Sequence, residues 1–153
     1  MFEKKPLRAG KLVGNIHVDS VISNYKRERW VHNSKKLGKE DSLSVWYSIG
    51  ELEAFFELAR SRGADGVRLY FGAYGKDYPE NELYAGRQTI VLVATRSVES
   101  ERGAVQKDLY ILHDNHNSIL AYNAGIPCPP YCPHEGGIGL ALIDEGENGI
   151  TVA

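Results

Sequence analysis

The chain has 153 residues, a formal net charge of −2, 42% hydrophobic and 25% charged residues. That is the size and balance of one globular domain, long enough to bury a core without disulfide support. No apolar run approaches the ~18 residues that cross a bilayer, and no apolar stretch of a secretory signal follows the opening residues. The expectation is therefore a cytoplasmic protein with no membrane partner.

Charge is split along the chain. Residues 1–40 carry ten Lys and Arg against four Asp and Glu, and residues 41–153 carry eight against sixteen. A basic leading region is one signature of nucleic-acid or anionic-surface contact. The overall acidity weighs against it, since polyanion binders are usually basic as a whole. The bland alternative is a basic arm lying against an acidic body or a neighbouring subunit. Residues 1–17 mix Gly, Lys and Pro and read as an irregular basic arm. A helix is expected over residues 19–31, with Asp19 as N-cap and Val18, Val21, Ile22 and Tyr25 as one apolar stripe. Residues 33–41 read as a polar loop.

Leu43, Val45 and Tyr47 alternate with Ser42, Ser44 and Trp46, the period of a strand. Ser48 and Glu51 then match a capping box, flanked by Tyr47 and Leu52 as a hydrophobic staple. Ile49, Leu52, Phe55, Phe56 and Ala59 form one helical face, and Gly63 is placed to stop that helix. Val67, Leu69 and Phe71 alternate with Arg68 and Tyr70 in a second strand. The loop from Gly72 to Arg87 carries Tyr74, Tyr78 and Tyr84. The aliphatic run Thr89–Ala94 should return antiparallel to the 67–72 strand. Residues 96–107 read as a charged loop, residues 109–112 as a short strand, and residues 138–143 as an edge strand. Residues 113–153 form a loop-rich tail. The fold class is α+β, a single mixed, mostly antiparallel sheet with one or two helices packed on it.

The tail holds the chain's only two cysteines in Cys128-Pro129-Pro130-Tyr131-Cys132-Pro133-His134. Three intervening residues lie within the spacing of structural zinc hooks, and tetrahedral zinc takes thiolate and imidazole ligands. His134 supplies a third ligand, and His113 or His116 a fourth. Against this, Pro129 and Pro130 have no N–H to stabilise bound thiolates. They also favour an extended start, so both sulfurs converge only if the chain reverses at Tyr131 or through a cis bond. The same reversal would allow a disulfide, although cytoplasmic thiols are normally kept reduced. A third alternative is a proline-braced tail packing two small sulfurs and Tyr131 against the body. A cysteine activated by His113 would be a nucleophile, but no local signature surrounds either cysteine, and no catalytic residue is assigned.

Arg68 and Tyr70 share one strand face, with Trp46 beside them if the 43–47 and 67–72 strands pair and Tyr74 in the following loop. Tyr, Trp and Arg are the usual interface anchors and also stack on bases. The same residues would equally suit a second small core beneath a helix.

Asn24-Tyr25-Lys26, Trp46-Tyr47-Ser48, Arg68 through Gly72, Ile90 through Val93 and Cys128 through Cys132 together resemble a group of small proteins common in Bacteroidota. The likeness spans residues 18–132 loosely, and this chain adds His134 and the residues beyond it. The resemblance implies a bacterial protein and an arrangement of elements, and it carries no activity with it. The functional expectation is a binding or assembly module, self-associating or with a protein partner, whose Cys/His tail is a structural clamp with a place for zinc. The alternatives are a metal- or thiol-dependent hydrolase using the same tail and a nucleic-acid accessory protein using the basic region.

Overall fold

The computed structural model describes residues 8–132. His134 and the strand expected at 138–143 lie outside the described residues. The described residues divide into two units, one of residues 8–32 and one of residues 33–132. In the first, helix α1 (Asn15–Tyr25) starts four residues before Asp19, behind an extended Gly14 that makes no side-chain cap. The expected irregular arm is thus helical at its end. A π-helical turn, Lys26–Trp30, follows, with Lys26 and Trp30 buried.

Helix α2 (Val31–Leu37) runs on into residues expected to form a loop. The Ser34 hydroxyl accepts the Asp41 N–H at 2.9 Å, which ties the helix to the chain that follows it. Strand β1 (Ser44–Trp46) leads into helix α3 (Ile49–Ser61). The capping box forms as the sequence predicts: the Ser48 hydroxyl accepts the Glu51 N–H at 3.1 Å, and Glu51 Oε2 accepts the Ser48 N–H at 2.8 Å. Two orphan donors are satisfied in one exchange. Gly63 ends the helix at φ +94°, a conformation that side chains resist.

Strands β2 (Gly66–Ala73) and β3 (Gln88–Ser100) pair antiparallel, Leu69 opposite Leu92 and Phe71 opposite Ile90. On its other side β3 pairs with β4 (Gly103–Asp108) and β7 (Ala121–Tyr122). The stretch expected as a charged loop is therefore a β3–β4 hairpin. Its outer end is solvated on both faces, so its sequence lacks the apolar alternation that marks a half-buried strand. Strands β5 (Tyr110–His113) and β6 (His116–Ile119) form a separate hairpin, turned by Asp114 and Asn115 in the left-handed region. Strand β1 pairs with β8 (Ile126–Cys128), not with β2. Every pairing is antiparallel among the described residues, and the fold is α+β.

The core lies where α3 crosses β3. Phe55 and Ala59 pack with Leu92, Ala94 and Leu120, flanked by Tyr47, Leu52, Val67, Ile90 and Tyr122. The Phe55 and Tyr122 rings stack at 5.5 Å, and Tyr122 lies 5.7 Å from Tyr47. No helix of the described residues is long and apolar enough to cross a membrane.

Candidate binding surface

The proline hook reverses, and its sulfurs bond to each other. Cys128 and Cys132 form a disulfide with Cα atoms 4.8 Å apart, and the peptide bonds ahead of Pro129 and Pro130 are both cis. The Tyr131 N–H reaches back to the Pro127 carbonyl at 3.0 Å, and the Leu43 N–H donates to the Cys128 carbonyl at 2.7 Å. The hook thereby extends the β1–β8 pairing. Just before it, a Cβ on Gly125 would meet Val45 at 2.5 Å and the Tyr47 ring at 2.6 Å, so only glycine fits there.

In this disulfide neither sulfur is a thiolate ligand or a nucleophile, so zinc ligation by Cys128 and Cys132 would need the reduced pair. His113 and His116 face each other across the β5–β6 hairpin, both exposed, and His113 Nε2 lies 3.6 Å from Asp114. No group of three His, Cys, Asp or Glu suited to a metal ion occurs among the described residues. His134, the third proposed ligand, is outside them.

Beside the hook runs a row of tyrosines. Tyr78 lies 4.5 Å from Tyr74, Tyr74 lies 5.7 Å from Tyr84, and Tyr84 meets Tyr131 edge-on at 6.0 Å. Tyr74 is half-buried and held in a closed ring of hydrogen bonds. Its hydroxyl donates to Asn123 Oδ1 at 3.1 Å, Asn123 Nδ2 donates to Thr89 Oγ1 at 3.1 Å, and Thr89 donates back to Tyr74 at 3.2 Å. Tyr78 donates to Glu80 at 2.8 Å, and the carboxylate holds that phenol protonated, its pKa pushed up to about 12. Tyr74 is therefore fixed by packing, and the row presents mainly Tyr131 to solvent.

Arg87, at the end of this loop, is buried with Nε and Nη1 lacking a hydrogen-bond partner among the described residues. Burial lowers its pKa, opposed by the charges of Asp41 and Glu40.

Arg68 and Tyr70 do share a face, and Asp108 joins them from β4. Arg68 Nη1 donates to Asp108 Oδ1 at 2.7 Å and Nη2 to the Gln106 carbonyl at 2.8 Å. Tyr70 donates to Asp108 Oδ2 at 2.5 Å. The hydrogen bond to Tyr70, followed by the Asp108 charge working against desolvation, raises the Arg68 pKa. Trp46 is 60% exposed on β1, which pairs with β8, so the expected pairing that would have set it beside Arg68 and Tyr70 does not form.

The strongest surface feature lies on β2 itself. Leu69 is 59% exposed, Tyr70 41% and Phe71 82%, and β2 pairs only with β3 among the described residues. Periodicity put Val67, Leu69 and Phe71 on one apolar face, yet only Val67 reaches the core. The signal available was the consecutive run Leu69-Tyr70-Phe71, apolar on both faces of a strand. Asp108 gave no signal, being one acid in a charged stretch. Comparison of the chain with protein-family models, with curated proteins and with solved structures finds no match.

Proposed function

We propose that this chain is a small binding or assembly module that works through the exposed rim of its main sheet, with the Cys128–Cys132 hook as a structural clamp. The observation that carries the reading is the run Leu69-Tyr70-Phe71, three large side chains exposed in sequence on a sheet edge that no other strand pairs among the described residues. Natural proteins usually blunt such edges with Lys, Pro or a covering element. An exposed apolar patch left in place marks an interaction site. Beside it, the Arg68 charge is met by Asp108 of the same chain at 2.7 Å.

Sedimentation velocity across a micromolar concentration series tests this. The wild-type chain should associate as concentration rises, and the Leu69→Ser/Phe71→Ser variant should sediment as a monomer with the same circular dichroism. A wild type that stays monomeric throughout removes self-association as the module's action. The clamp has its own test. A zinc-filled clamp would require the reduced pair, and its sign would be stoichiometric zinc in protein purified under reducing conditions that Cys128→Ser abolishes. Metal-free protein leaves the disulfide as the clamp.

A further inference from the structure

The geometry points to a second copy of this chain as the occupant of the β2 edge, paired antiparallel about a two-fold axis at Tyr70. This inference rests on the assembly reading above and names its partner. The Tyr74 N–H donates to the Arg87 carbonyl at 3.0 Å, in register with the β2–β3 ladder. In an antiparallel pair, successive residues turn their N–H and C=O to opposite sides. The even-numbered residues of β2 therefore bond to β3. Val67, Leu69, Phe71 and Ala73 turn theirs outward, and no strand takes them among the described residues.

Two outward-facing rows from identical strands can meet only in registers that set odd residues opposite odd ones. A centre at Arg68 would bring two guanidinium groups face to face, which is unfavourable. A centre at Tyr70 sets Arg68 opposite the partner's Gly72, and each Arg68 charge is already met by Asp108 of its own chain at 2.7 Å. On the α3 face that register lays Leu69 against the partner's Phe71, twice by symmetry. The two most exposed side chains of the strand then cover each other. On the other face Tyr70 meets the partner's Tyr70 as a non-hydrogen-bonded pair, the closer of the two spacings, which favours aromatic contact.

Residues 66–73 contain no Pro and no Lys, so nothing in the strand blocks pairing. The product is a continuous antiparallel sheet β4-β3-β2 joined to the partner's β2-β3-β4, with an isologous interface. Its area is on the order of 1,000 Å², the lower end of specific interfaces, which fits a dimer that forms in the micromolar range.

Two measurements test the pairing. In the first, Tyr70→Cys and, separately, Trp46→Cys are placed in the full chain, and mild oxidation is read on non-reducing gels. Tyr70→Cys should cross-link to a dimer in most of the sample, because residues in a non-hydrogen-bonded pair approach to about 4.5 Å between Cα atoms. Trp46→Cys, more exposed than Tyr70 but on β1, should not. In the second, hydrogen exchange of the wild type is followed with concentration. The Leu69 and Phe71 amides should slow at least tenfold on association, while the Tyr70 amide is protected throughout.

Association that Leu69→Ser/Phe71→Ser abolishes, without Tyr70→Cys cross-linking or slowing at Leu69 and Phe71, overturns the edge pairing while the assembly reading survives, whereas cross-linking through Trp46→Cys alone overturns both. A monomer whose Leu69 and Phe71 amides are already protected also overturns it, since the chain's own residues then fill the edge. A monomer with those amides unprotected at every concentration ends both.

Discussion

The β1–β8 ribbon and the β2 edge are the two flanks of the larger unit, and they are finished in opposite ways. The ribbon is closed by a disulfide, by backbone bonds from Leu43 and Tyr131, and by a glycine against which Val45 and Tyr47 pack without room for a methyl group. The β2 edge ends in exposed Leu69, Tyr70 and Phe71 and in backbone that no strand takes among the described residues. One flank spends its sequence on holding shape, and the other leaves apolar surface for something else to cover. Changes at the ribbon should therefore be read in stability, and changes at the edge in association.

The largest expected effect is at Gly125. Its Cβ would enter the Tyr47 ring and Val45 Cγ1, and overpacking of this kind costs about 1–3 kcal/mol. Gly125→Ala should lower the urea midpoint with an unchanged m-value. A midpoint unmoved by the substitution would mean that the ribbon is not closed as described. Next comes the hook. Replacing Cys128 and Cys132 together by Ser removes a very short cross-link, for which the chain-entropy account gives about 2 kcal/mol. Reducing agent should shift the wild type to the same midpoint and leave the double variant untouched. Reduction without effect would show the clamp to be idle.

These two sites also show what the sequence made legible. The capping box, the stop at Gly63 and the return of Thr89–Ala94 on β2 are local patterns, and each depends on residues a few positions apart or on strand periodicity. They could be read before the fold was known. The hook was legible as a reversal, with zinc, disulfide and packing left open, because sequence cannot say which bond the sulfurs make. The pairing of β1 with β8 was not legible: it joins residues eighty or more positions apart, and a three-residue strand carries no register information. Asp108 was missed for the same reason, since its tie to Arg68 exists only after β4 folds beside β3. Leu69 and Phe71 were visible as a face, but periodicity cannot tell a core-facing row from one that overhangs the edge.

A smaller effect is expected at the entrance to α3, which belongs to the closed flank. Ser48→Ala removes the cap and should cost about 1 kcal/mol. Its pH dependence follows from Glu51, whose pKa is held below its ordinary 4.5 by the Ser48 amide first, then the Ser48 hydroxyl and the Tyr122 hydroxyl. A depressed carboxylate stabilises the fold above its unfolded value, and that contribution is lost as pH falls through the lower folded value. The Glu51→Gln variant should therefore trail the wild type at neutral pH and converge with it in acid, once pH has fallen through the depressed folded value. The same contact raises the Tyr122 pKa, chiefly through its bond to Glu51 at 2.9 Å. A raised phenol contributes fully below its unfolded value and is lost as pH rises through the folded one, so Tyr122→Phe should close on the wild type at the alkaline extreme and, because the bond also depresses Glu51, narrow its gap in acid as Glu51 is protonated. Parallel curves across the whole range would detach Glu51 from the cap.

The smallest intrinsic effect on stability belongs to the open edge. Leu69 and Phe71 already meet solvent, so replacing them with Ser removes little buried area, and each change should stay within about 0.5 kcal/mol in the dissociated chain. The contrast lies in how melting depends on concentration. An associating native state is stabilised by mass action, so wild-type Tm should climb with protein concentration. The Leu69→Ser/Phe71→Ser variant should show one Tm at all concentrations, equal to the wild type at high dilution. Gly125→Ala should do the reverse, lowering Tm by the same amount at every concentration while preserving its slope. A variant at the edge that melts far below the dilute wild type would mean these side chains serve the core after all, and the division between a closed flank and an open one would fail with them.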